Sequence, residues 1–187
     1  MTEPQTPSSD VATRMLAAFR EGNMAKVLAL GEAATPSDAD DTVLLLLGAA
    51  QQSTDQPVAA LNSFRQLVAR QPAVAEYWNN LAVVARQLGD LAEAEQALLR
   101  AAALAPQEAQ IHYNLGLLYA QQQRWLPARD ALLEAVRLVP AFVDARLQAA
   151  YACHVCGDNS GEDAMLEDAE AWPPQPLDQA LILATML

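Results

Sequence analysis

Pro72, Pro106, Pro140 and Pro174 each stand 34 residues from the last, and a chain that repeats itself at that interval is confined to stacking copies of one small unit. Other columns keep the same period. Leu47, Leu81, Leu115 and Ala149 form one, followed by the small residues Gly48, Ala82, Gly116 and Ala150. Ala60, Ala94 and Ala128 align, then Phe64, Leu98, Leu132 and Leu166, then Leu67, Ala101, Ala135 and Ala169. Within one copy, Leu81, Ala82 and Ala85 fall on one stripe of a first helix, and Ala94, Leu98 and Ala101 on one stripe of a second. A small residue where the helices cross lets their backbones approach closely. Gly89 can supply the positive φ that ends the first helix, and the proline ends the second. Pro57 and Pro127 fall near the start of a second helix, where a missing N–H costs little. A unit of this size cannot bury enough apolar surface to fold alone, so stability comes from stacking neighbours.

The best copy runs Ala75-Glu76-Tyr77-Trp78-Asn79-Asn80-Leu81-Ala82 through Gly89-Asp90, Ala94, Leu98, Ala101 and Pro106. The next contains Asn114-Leu115-Gly116, Tyr119, Ala128, Leu132, Ala135 and Pro140. On these residues the chain resembles the tetratricopeptide repeat family. The resemblance implies an all-α fold, a right-handed superhelix of antiparallel helical hairpins (an α-solenoid). It covers residues 41–176 as four copies, 41–74, 75–108, 109–142 and 143–176. In the fourth, Asn159-Ser160-Gly161-Glu162 replaces the usual start of the second helix, which is therefore expected to begin late. Residues 10–40 read as a divergent hairpin outside the proline register, with its turn at Gly22-Asn23. Residues 1–9, polar and rich in proline, are expected to be a disordered tail. Residues 177–187 read as a C-terminal helix, either a cap or a truncated fifth repeat. Ala180, Leu183, Ala184 and Leu187 match its packing columns, but Leu181, Ile182 and Met186 leave it apolar nearly all round. The expectation is that the array continues past Leu187 or that this helix is the seam of a homodimer.

The chain has a formal charge of −12. Nucleic acid and anionic membranes both require clustered cations, so neither is an expected partner. From Val143 onward there are eight acids and one arginine, a net −7. The runs Val43 to Leu47 and Leu181 to Leu187 are too short to cross a bilayer, so no membrane insertion is expected. The first residues lack the basic and apolar regions of a secretory signal, and two cysteines make no disulfide framework. The expected location is the cytoplasm, in a bacterium.

Cys153-His154-Val155-Cys156 is the one constellation that looks like a site. Two thiols and a distant His112 fall short of the four ligands a structural zinc requires, and both cysteines sit where the repeat expects packing residues. They are expected to be reduced, largely buried and metal-free. His112 occupies the column of Trp78, a position that packs the hairpin. No phosphate loop, HExxH pair or GxSxG elbow is present. The chain is therefore read as no enzyme, with no catalytic, cofactor-binding or metal-binding residue and no cofactor.

The family resemblance implies a protein-binding groove on the concave face, lined by exposed positions of each first helix. Carried over, these are Asn79, Asn80, Val83 and Gln87; Tyr113, Asn114, Leu117 and Gln121; and Gln148 and Tyr151, with Leu45, Ala49, Gln52 and Leu147 beside them. Asn80, Asn114 and Gln148 share a column, and a carboxamide ladder can both donate to and accept from a peptide backbone. No lysine or arginine occurs in the set, so a C-terminal carboxylate is not the expected ligand. The implied function is a protein–protein interaction scaffold or adaptor that binds a protein or peptide segment. Two alternatives stand beside it. One is the N-terminal region of a larger transferase, such as a sulfotransferase or glycosyltransferase; the other is a secretion chaperone.

Overall fold

In a computed structural model, the structure describes residues 7–34 and 40–167. Ten helices and no strand occur among them. The chain divides into two compact units, residues 1–97 and 98–187, the division falling inside one helix. The first unit contains α1 (Pro7–Arg20), α2 (Met24–Glu32), α3 (Asp41–Ser53), α4 (Pro57–Arg70), α5 (Ala75–Gln87) and the start of α6 (Leu91–Leu104). The second contains the end of α6, then α7 (Ala109–Gln121), α8 (Trp125–Leu138), α9 (Val143–Cys156) and α10 (Asn159–Leu166).

First helices start at Asp41, Ala75, Ala109 and Val143, and second helices at Pro57, Leu91, Trp125 and Asn159. Both series keep the 34-residue step of the prolines. The turn between the two helices is the same each time. A backbone N–H reaches the carbonyl five residues back: Gln56 to Gln51, Asp90 to Ala85, Arg124 to Tyr119 and Asp158 to Cys153, at 2.8–2.9 Å. This bond closes a Schellman turn, which needs a left-handed residue just before the donor. That residue is Asp55 (φ 57°), Gly89 (φ 82°), Gln123 (φ 59°) and Gly157 (φ 73°) in turn. The hairpin α1–α2 uses the same device, with Asn23 N–H on the Ala18 carbonyl at 2.9 Å and Gly22 at φ 71°.

In the first unit, Met15, Ala18, Val27, Val43, Leu46 and Ala50 form a buried cluster joining the N-terminal hairpin to α3. Gly48 lets α3 and α4 close up, since a Cβ there would stand 2.8 Å from the Phe64 ring. Phe64 is in turn fully buried, a contribution of about 2–3 kcal/mol from apolar area alone. One polar pair lies inside this hairpin, where the Ser63 hydroxyl donates to Gln51 Oε1 at 2.8 Å. In the second unit, Gly116 meets Leu132 as Gly48 meets Phe64; a methyl group at Gly116 would overlap the leucine. Leu132, Ala135, Val136, Ala145, Ala149 and Ala152 form the core between α8 and α9.

Two expectations about element ends are revised. Helix α1 begins at Pro7, inside the stretch expected as tail, because proline fits the first turn of a helix; residues 1–6 lie outside the described residues. Helix α10 begins on the period at Asn159 rather than late. The Asp158 side chain accepts the Gly161 N–H at 3.0 Å and caps it. The C-terminal segment 177–187, with Ala180, Leu181, Ile182, Leu183, Ala184, Met186 and Leu187, also lies outside the described residues.

Candidate functional site

Each first helix buries one stripe and leaves the opposite one for other uses. On α5, Leu81, Ala82, Val84 and Ala85 are buried. Asn79, Asn80 and Val83 are half-buried, and Gln87 is exposed. On α3, Leu45, Ala49 and Gln52 are likewise half-buried.

In the second unit the corresponding residues divide. On α7, Tyr113 and Leu117 are half-buried and Gln121 is exposed. On α9, Gln148 is half-buried and Tyr151 exposed. Asn114, expected on the open face, is instead 5% exposed. Its Oδ1 accepts from the Gln110 carboxamide one turn earlier, at 3.4 Å. Leu147, named with the same face, is fully buried. The carboxamide ladder therefore loses its middle rung to packing, because a column assignment says which way a Cα–Cβ bond points, not how closely neighbours crowd it.

Aromatic contacts missed by column reasoning shape this face. The Tyr113 ring packs on Phe142, centroids 4.9 Å apart and planes tilted by 45°. Trp125 meets Tyr151 edge-on at 5.6 Å and 77°. The Arg124 guanidinium sits 4.5 Å over the Tyr119 ring and donates to Gln122 at 2.8 Å. The signal for Trp125 was available in its column, where Pro57, Leu91 and Asn159 stand in the other copies. A tryptophan in the first turn of a second helix is out of pattern there.

Trp78 and His112 do the same work in successive copies. Trp78 Nε1–H donates to the Pro72 carbonyl at 2.9 Å, and His112 Nε2 lies 2.9 Å from the Pro106 carbonyl. A carbonyl only accepts, so the His112 proton is assigned to Nε2. The ring is thereby committed to fastening the start of α7. Arg146 fills that column in the fourth copy and turns elsewhere. Its Nε and Nη2 donate to the carbonyls of Met165 and Glu167, at 3.0 and 2.7 Å, holding the end of α10.

Cys153 is fully buried and Cys156 half-buried, and both are free. A Cβ at Gly161 would stand 2.9 Å from Cys153 Sγ, so α10 lies directly on the thiol. Burial, with Asp158 nearby, pushes that thiol up to about 11. It stays protonated at neutral pH, the opposite of an activated nucleophile. His154 Nδ1 lies 3.0 Å from Glu162 Oε2 across α9 and α10. Among the described residues, no group of three or more His, Cys, Asp or Glu side chains is placed to hold a metal ion. Among the same residues, no helix is long and apolar enough to cross a membrane.

The tetratricopeptide repeat family model matches residues 45–109 and 97–141. This chain belongs to the tetratricopeptide repeat family. Its fold is the all-α solenoid of that family, as the solved structures it resembles also indicate. They include PilF of Pseudomonas aeruginosa, with a TM-score of 0.82 and 19% identity over 96% of this chain and 82% of that one. MamA of Desulfovibrio magneticus gives 0.79 and 16% over 90% and 96%. A thermophilic tetratricopeptide protein of Thermus thermophilus gives 0.70 and 22% over 96% and 98%. Among curated proteins, a BBSome complex member BBS4 homolog of Drosophila melanogaster is 30% identical over 95 residues. That match spans 51% of this tetratricopeptide chain but only 20% of the fly protein.

Proposed function

We propose that this tetratricopeptide chain is a protein-interaction scaffold whose first-helix faces hold a segment of a partner protein. The observation that carries the reading is the division of labour on α5, α7 and α9. One stripe of each makes the core, while Asn79, Asn80, Val83, Gln87, Tyr113, Leu117, Gln121, Gln148 and Tyr151 remain wholly or partly open. These are amides, aromatics and aliphatics, side chains that bind polypeptide through hydrogen bonds and apolar area. Asn114, at 5% exposure, is left out of the contact set.

Site-directed photo-crosslinking in cells tests this. Benzoylphenylalanine at Gln121 or Gln148 is expected to capture a partner. At Val58, which is 63% exposed on a second helix, it is expected to capture none. Replacing Asn80 by alanine should then weaken binding of the captured partner by roughly 1–2 kcal/mol, with the fold intact by circular dichroism. Capture that is equal at Val58 would overturn the assignment of the face.

A further inference from the structure

Along α9, Asp144, Gln148, Tyr151 and Val155 follow one another at steps of four, three and four, the spacing that sets helical side chains in one row. The outer half of the row is open, with Tyr151 36% and Val155 41% exposed. Trp125 adds a second ring edge-on to Tyr151. Neither this row nor its counterpart on α7 (Gln110, Asn114, Leu117, Gln121) contains a cation. The arginines of α8 and α9 are engaged within the protein. Arg129 pairs with Asp130 at 2.8 Å and with Asp158 at 3.8 Å, and Arg137 with Glu134 at 2.6 Å. Arg146 is bound to the carbonyls at the end of α10. The row therefore reads carboxylate, carboxamide, phenol ring and aliphatic group, in a stretch, 143–167, that carries five acids and one arginine.

Resting on the scaffold reading, we infer that the α9 row takes an arginine-bearing apolar segment of another polypeptide. Charge complementarity selects it. An acidic segment would enter a field of its own sign, whereas a guanidinium gains at both ends of the row. One guanidinium plane stacks on the Tyr151 ring, which Trp125 flanks edge-on, and a second basic group meets the Asp144 carboxylate. Asp144 and Tyr151 lie two helical turns apart, about 10 Å. Two basic residues three apart in an extended segment, or seven apart in a helix, span that distance.

The test is selection from a phage library of random peptides of roughly 12 residues on the full chain, followed by anisotropy titration of the consensus peptide. The pool is expected to be rich in arginine and apolar residues and poor in acids. Tyr151→Ser and Asp144→Asn should each weaken the consensus peptide by about fivefold, with unchanged melting curves. Asp163→Asn, which removes the same charge from the exposed side of α10, should leave affinity unchanged. Equal losses from Asp144→Asn and Asp163→Asn would mean diffuse attraction and would overturn the inference. An acidic or uncharged pool still weakened by Tyr151→Ser removes the basic partner and leaves the scaffold reading standing. Binding that ignores every substitution on the face, or no binding clone at all, removes both.

Discussion

A left-handed backbone costs an L side chain about 1–2 kcal/mol, which is why glycine is favoured there. The turn column pays no attention to this preference, since Asp55 and Gln123 adopt positive φ as fully as Gly89 and Gly157 do. The recurring bond across the turn, as from Arg124 N–H to the Tyr119 carbonyl, holds them there. Gln123→Gly is therefore expected to stabilise the chain. Relief of strain exceeds the added entropy of glycine in the unfolded chain, for a net gain of about 0.5–1 kcal/mol in urea unfolding. A loss of stability would show that the Gln123 side chain contributes more than its backbone strain costs. Gly89 was legible as a turn from its residue type alone, whereas Gln123 was not. Its conformation follows from the hydrogen bonds of the helix before it, and glutamine carries no turn signal. The column of Trp78, His112 and Arg146 had the same limit. Residue type marked it as a packing position, but only coordinates separate a ring N–H fastened to a proline carbonyl from a guanidinium fastened to the end of α10.

At the scale of the element, the helices differ in how they are held. Most are anchored by a buried stripe, as α7 is by Ile111, Leu115 and Leu118. Helix α10 has no buried residue; the half-buried Met165 packs against the α8–α9 core, and polar ties add to that contact. Arg146 supplies two of these, to the carbonyls of Met165 and Glu167. Hydrogen bonds from a charged donor contribute about 1.5–3 kcal/mol. Arg146→Met should consequently speed amide exchange in α10 by about tenfold or more, while exchange in α7 and α8 stays as it was. Unchanged protection in α10 would place its anchorage elsewhere, on the Asp158 cap or on the contact of Gly161 with Cys153. The close crossings at Gly48–Phe64 and Gly116–Leu132 could be read in advance, because small-against-large columns recur at a fixed offset. The capped start of α10 was misread. Asn159-Ser160-Gly161 contains poor helix formers, but the Asp158 carboxylate accepts the Gly161 N–H and the Ser160 hydroxyl.

For the whole molecule the governing quantity is charge. With 23 acids, 11 bases and a net −12, the compact chain repels itself, and salt screens that repulsion. The melting temperature is expected to rise as sodium chloride is raised from about 10 to about 200 mM. A flat or falling curve would mean that ion pairs such as Arg65 with Glu93, joined by contacts of 2.7 and 2.9 Å, outweigh the net charge. Periodicity by itself determined the class of fold, the starts of the first helices at 41, 75, 109 and 143, and the columns that pack, because side-chain direction on a regular helix repeats with the sequence. Tertiary structure alone decided which outward positions stay open. Asn80 and Asn114 share one column, yet the first is half-buried and the second sits at 5% exposure. Exposure depends on the bulk of side chains brought in from other helices, and those come from distant parts of the chain that no local spacing records.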